Sequence, residues 1–137
     1  MVRVYVERKD LPDDLRHLLD VNASAAECTP PLDVFETAFG LEVLLDVPGV
    51  AAADIEIVFA RNVLLIAGSK HPAACEHADA GFHIAERAFG RFGRALQLEG
   101  AFDAGRATAT LRDGELRLVF PRLEERRGRQ IRIPIRP

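Results

Sequence analysis

Cysteine is scarce in this chain: Cys28 and Cys75 are the only two, and they do not form a C-x-x-C pair. Two cysteines are too few for a disulfide framework, so stapled extracellular folds drop out and two free thiols are the plain expectation. Long apolar runs are missing as well. The opening residues, MVRVYVERKDLPDD, hold no extended apolar segment of the kind a secretion signal needs, and no later stretch reaches the length that spans a bilayer. A cytoplasmic protein without membrane contact is expected. Nor is there an excess of positive charge. Lys and Arg number 18 against 21 Asp and Glu, a net charge of −3, which argues against a general electrostatic grip on nucleic acid or anionic lipid.

Catalytic signals are equally thin. The only serines, Ser24 and Ser69, sit outside any nucleophile elbow, and no glycine-rich loop runs into Lys-Ser or Lys-Thr to cradle phosphates. The carboxylates are scattered along strands and turns, where solvation accounts for them. No enzyme, no ATP-driven work and no cofactor are expected. Metal-capable residues cluster once, as His71, Cys75 and His77 in HPAACEH with His83 downstream. The loop lacks a second cysteine to close a tetrahedral site, so it reads as a connector that carries histidines, with no metal expected. A metal-responsive domain is the alternative that tight zinc binding would support. Gly90-Arg91-Phe92-Gly93, flanked by Arg87 and Arg94, matches a bare G-x-x-G, but a nucleic-acid loop of that kind joins two helices and both flanks here look extended. Arginines in such a place fit ion pairs at a surface or subunit boundary.

What the chain does contain is 48% hydrophobic and 28% charged residues over 137 positions, the profile of one soluble globular domain. Three regions are expected: an N-terminal arm over 1–30, a domain over 31–122 and a C-terminal extension over 123–137. In the arm, Val2, Val4 and Val6 alternate with polar residues like a short strand. Leu11, Leu15, Leu18 and Leu19 then follow the stripe of an amphipathic helix. That helix either packs on its own domain or contacts another subunit or a client. NASAAECTPP reads as a linker.

From Pro31 the pattern is strand after strand. LDVFETA and LEVLLDV lead to Pro48-Gly49, whose fixed and positive φ suit a type II turn. DIEIVFA and VLLIAG flank Arg61-Asn62 as a hairpin. A polar loop over Ser69 to Gly81 precedes two extended segments around Gly90. Asp113-Gly114, between alternating strands, predicts a tight type I′ hairpin that Pro121 ends. Six to eight short strands at this spacing indicate an all-β, immunoglobulin-like antiparallel sandwich. The last residues, RQIRIPIRP, alternate Ile131, Ile133 and Ile135 with Arg132, Pro134 and Arg136, a strand with no partner after it.

Several ordered motifs together resemble the α-crystallin domain of the small heat-shock proteins. DVPGV at Asp46 to Val50 is similar to the family's Pro-Gly turn, with Pro48 and Gly49 at its centre. ERAFGRFGRALQL at Glu86 to Leu98 is similar to the Glu-Arg, Phe-Gly and Phe-x-Arg consensus, placing Gly90, Phe92 and Arg94. ATLRDGEL fits A-x-x-x-x-G-x-L, with Ala109, Gly114 and Leu116, and IRIPI fits I-x-I in two registers. The resemblance covers Pro31 to Pro137. This chain departs from the pattern at Leu98-Glu99, where a proline commonly follows the leucine, at Gly93, where a bulkier residue is common, and in its short arm, which is not Phe-rich.

The resemblance implies an ATP-independent holdase that binds partly unfolded client proteins and keeps them from aggregating. It implies a dimer in which the strand Gly81 to Arg87, with Phe82, His83, Ile84, Glu86 and Arg87, crosses on the Ser69 to Ala80 loop to a neighbour's sheet, and a larger homo-oligomer built from such dimers. It also implies that the tail, Ile131, Ile133, Pro134 and Ile135, docks in another subunit's groove lined by Ile55, Ile57, Phe59, Ala107, Ala109 and Leu111. Physical chemistry agrees with the docking: the N–H groups of Ile133 and Ile135 point to one side of an extended chain, and the N–H that Pro134 lacks would have pointed to the other. The tail can therefore join a sheet edge but not extend the ladder beyond itself. Pro134 favours the Ile133/Ile135 register. The plain alternative is that the tail joins its own domain's edge. A co-chaperone of the related CS-domain type, binding one defined partner, is the rival function.

Overall fold

Apolar residues at alternate positions of GLEVLLD set the conformation of that stretch: Leu41, Val43 and Leu45 are fully buried while Glu42 and Leu44 between them are half-buried. That period of two allows only a strand with one face on a core. The computed structural model describes residues 2–5, 13, 28–72 and 77–123. It contains eight strands: β1 (Val2–Tyr5), β2 (Leu32–Glu36), β3 (Gly40–Asp46), β4 (Ile55–Ala60), β5 (Val63–Lys70), β6 (Gly90–Leu98), β7 (Thr108–Arg112) and β8 (Glu115–Pro121). They form two antiparallel sheets with orders β1-β6-β5-β4 and β2-β3-β8-β7. The fold is therefore the all-β sandwich that the sequence predicts.

Between the sheets lies one core. From the first sheet come Leu64, Ile66, Phe92 and Leu96, and from the second Leu41, Val43, Leu118 and Phe120, each at most 2% exposed. Phe92 fits because Gly68 faces it: a Cβ on Gly68 would stand 2.7 Å from the Phe92 ring and would strike the backbone oxygen of Asp54.

The turns follow their residues. Gly49 has φ +79°, and the Val50 N–H donates to the Val47 carbonyl at 3.1 Å, as a type II turn requires. Arg61 and Asn62 (φ +52° and +64°) and Asp113 and Gly114 (+54° and +77°) make the two tight hairpins, β4–β5 and β7–β8. Pro121 is the last residue of β8.

One expected strand is not formed among the described residues: Phe82 to Phe89 has no ladder partner there, and β6 begins only at Gly90. Val2–Tyr5 is a strand as expected, and it pairs with β6. The Leu11 to Leu19 helix, Cys75 and the Ile131 to Ile135 tail lie outside the described residues.

Candidate functional site

β4 and β7 are the outermost strands of their sheets, and they lie along the same side of the sandwich. Each offers an unpaired row of backbone groups among the described residues, and an apolar cleft opens between them. Its volume is about 130 Å³, and it is lined by Ala52, Ile55 and Ile57 on one side and by Ala109, Thr110 and Leu111 on the other, with Leu116 beneath.

Register explains why these side chains converge. On β4, Ile57 and Phe59 stand opposite the core residues Ile66 and Leu64, so the odd positions face inward. On β7, Ala109 and Leu111 stand opposite the core residues Leu118 and Leu116, so the same parity faces inward there. Four of the six residues expected to form a groove, Ile55, Ile57, Ala109 and Leu111, thus line one cleft. The other two sit further along the same rim. Phe59, 37% exposed, tilts against the Phe120 ring with centroids 5.8 Å apart, and Ala107 packs half-buried on the core beside the start of β7. Ala109 is exposed, and its small side chain leaves room above Leu118. An apolar trough walled by two unpaired strand edges suits an extended peptide with bulky residues at alternate positions.

A second surface lies at the Phe82 to Phe89 stretch. Phe82 and Ile84 are 89% and 76% exposed, and His83, Glu86 and Arg87 are exposed as well. Pro72, Phe82, Ile84, Ala85, Glu86, Arg87 and Phe89 surround a hollow of about 290 Å³. The Arg87 guanidinium and the Lys70 ammonium lie 5.0 and 5.5 Å from the centre of the Phe89 ring, fixing the base of the stretch to β5.

The consensus positions are structural supports. A Cβ at Gly114 would stand 3.0 Å from Pro48 Cα, and the Val47 N–H donates to the Gly114 carbonyl at 2.7 Å, so the Pro48-Gly49 and Asp113-Gly114 turns brace each other. Gly90 opens β6 at φ +107°, Phe92 is fully buried, and Leu116 floors the cleft. Arg94 donates from Nη1 to the Pro30 carbonyl at 2.8 Å, tying the entry of β2 to β6 across the two sheets. Gly90 to Gly93 belongs to β6. Among the described residues no three His, Cys, Asp or Glu side chains converge on one point. His71 Nε2 lies 3.9 Å from Asp54 Oδ1. Sequence reasoning missed Gly68, whose contact with Phe92 seats β6 against β5.

Comparison with known proteins agrees with this geometry. The model of the Hsp20/alpha crystallin family matches residues 33–136. Small heat shock protein C4 of Rickettsia felis is 30% identical over 105 residues, covering 77% of this chain and 64% of that one. The 21.9 kDa heat shock protein of Oryza sativa is 35% identical over 117 residues, covering 80% and 57%. This chain thus spans about three fifths of the length of these two relatives. Among solved structures, a small heat-shock protein from Xylella fastidiosa superposes with a TM-score of 0.69 at 27% identity, over 80% of this chain and 100% of that one. Heat shock protein 16.0 from Schizosaccharomyces pombe gives 0.66 at 27%, over 81% and 85%. With its sandwich, its braced turns and its rim cleft, the chain belongs to the Hsp20/alpha crystallin family.

Proposed function

We propose that this protein is an ATP-independent holdase of the cytoplasm, which captures partly unfolded proteins and holds them out of aggregates. One observation carries the reading: the rim cleft between β4 and β7, apolar inside and flanked by unpaired strand edges. An unfolding chain presents what such a cleft takes, extended backbone with exposed apolar side chains. The small heat-shock relatives support the same reading, and nothing favours a CS-domain adaptor over it.

In this reading the cleft has two classes of occupant. At rest it holds the tail of another subunit, with Ile133 and Ile135 as knobs beside Ile55, Ile57, Ala109 and Leu111, and Pro134 barring further strand addition. Under stress it is released to clients. The basic dimer forms when Gly81 to Arg87 pairs with a neighbour's free edge, and β2, the edge of the second sheet away from the cleft, is the strand that receives it. The exposure of Phe82 and Ile84 in the single chain supports the exchange, because two large apolar side chains in water gain from a partner. The Xylella fastidiosa structure is described as a distinct high order structure, which supports a larger assembly here.

The test is heat aggregation of an unrelated client, followed by turbidity without ATP at several subunit ratios. The holdase reading expects protection that rises with the ratio and needs no nucleotide. No protection at equimolar protein, with tight binding to one defined partner instead, would support the adaptor.

A further inference from the structure

A sandwich buries one face of each sheet and leaves the other to solvent. The second sheet follows this rule: on its outer face Arg117 Nη1 lies 2.8 Å from Glu42 Oε1, and Arg117 Nη2 lies 3.5 Å from Glu115 Oε1. The first sheet does not. On its face away from the core, Val63, Leu65 and Ala67 of β5 are each 2% exposed and Ala95 of β6 is 4% exposed. Val63, Leu65 and Ala95 form a buried cluster of their own, and the described apolar side chains packed on it, Val58 and Ala60, belong to the same sheet. A face so apolar calls for a cover from outside that sheet. The Phe82 to Arg87 stretch is not the cover, since Phe82 and Ile84 are themselves in solvent.

We propose that the arm over residues 6–27 docks here, laying the stripe of Leu11, Leu15, Leu18 and Leu19 on the outer face of β4, β5 and β6. Both ends of that segment are already fixed beside the patch. Tyr5 pairs with Ala95, in the same row as Leu65 and Val58, so the chain leaves the sheet at the patch itself. It returns at Cys28, whose N–H donates to the Arg91 carbonyl at 3.3 Å and whose Sγ lies 3.6 Å from the Gly90 carbonyl oxygen. Ala95 and Arg91 are separated along β6 by about 13 Å. A helix from Leu11 to Leu19 is about 14 Å long, so it fits between the anchors with chain to spare at both ends. The polar residues Asp13, Asp14, Arg16 and His17 alternate with the leucine stripe, as a helix seated on one face requires. Gly93 and Ala67, paired in register, keep the floor shallow beside the Val63 and Leu65 ridge.

Docking of this kind commits the arm to its own domain rather than to a neighbour. The test uses thiol labelling in a full chain carrying Cys28→Ser and Cys75→Ser, with Leu65→Cys as reporter and Ala101→Cys, exposed and away from the cleft, as control. Leu65→Cys should label at least about a hundredfold more slowly than Ala101→Cys, at a rate that does not change on dilution. Adding Leu15→Asp and Leu18→Asp should raise its labelling about tenfold or more while the far-ultraviolet circular dichroism of the strands is kept. Ala95→Cys, a smaller change to the packing, should repeat the pattern. Labelling unmoved by the two aspartates would overturn the proposal. So would labelling that quickens on dilution, which would give the face to a second copy.

Discussion

Gly114 shows how one residue joins two distant turns. Its φ of +77° suits the β7–β8 hairpin, and the missing side chain lets Pro48 Cα approach to where a Cβ would stand 3.0 Å away. Gly114→Ala should therefore lower stability by about 1–2 kcal/mol in urea unfolding, from the unfavourable φ alone. Gly68 is constrained differently, by Asp54 and Phe92 rather than by its own φ. Gly68→Val should cost about 1–3 kcal/mol through overpacking, while Phe92→Ala should cost about 3–5 kcal/mol by leaving a cavity. The contrast also explains what could be read from residues alone. Asp113-Gly114 announces its turn within four positions of sequence. Gly68 gives no local sign, because the atoms it makes room for belong to Asp54 and to β6.

Among the elements, the cleft was legible because Ile55, Ile57 and Phe59 on β4 and Ala109 and Leu111 on β7 stand at alternate positions, although β4 also carries Val58 and Ala60 on its other face. Its shape was less so. Phe59 and Ala107 belong to the same rim, but Phe59 leans on Phe120 instead of lining the cleft, a side-chain choice that alternation does not encode. Ala109→Phe would fill the trough above Leu118 without entering the core. The variant should keep its circular dichroism and melting temperature while losing much of its assembly mass by light scattering. The Phe82 to Arg87 stretch reads as a strand in sequence yet has no ladder partner among the described residues, which follows if its partner belongs to another copy. Phe82→Ser with Ile84→Ser should shift the smallest assembly unit from dimer toward the 15.1 kDa monomer in sedimentation, with the sandwich intact. The apolar run in β5 was plain in sequence, but burial on both faces of that strand was not: periodicity alone cannot show what lies over the outer face.

For the whole molecule, a short sandwich with open edges must either close them or use them. β1 pairs along β6, so among the described residues the outermost strands are β1, β4, β2 and β7. If the tail docks as proposed, burying two or three isoleucines gains roughly 1.5–3 kcal/mol each, against about 1–2 kcal/mol for ordering each backbone residue, so the two nearly cancel and exchange is favoured over permanent closure. On that proposal, warming would release the tail and open the cleft. The most direct measurement is the mass of the Ile133→Ala, Ile135→Ala double variant by multi-angle light scattering, taken beside its melting temperature. If the tail plugs a neighbour's cleft, the mass falls toward that of the dimer while the melting temperature of the domain stays put. An unchanged mass with a lowered melting temperature would contradict this, placing the tail on its own domain's edge.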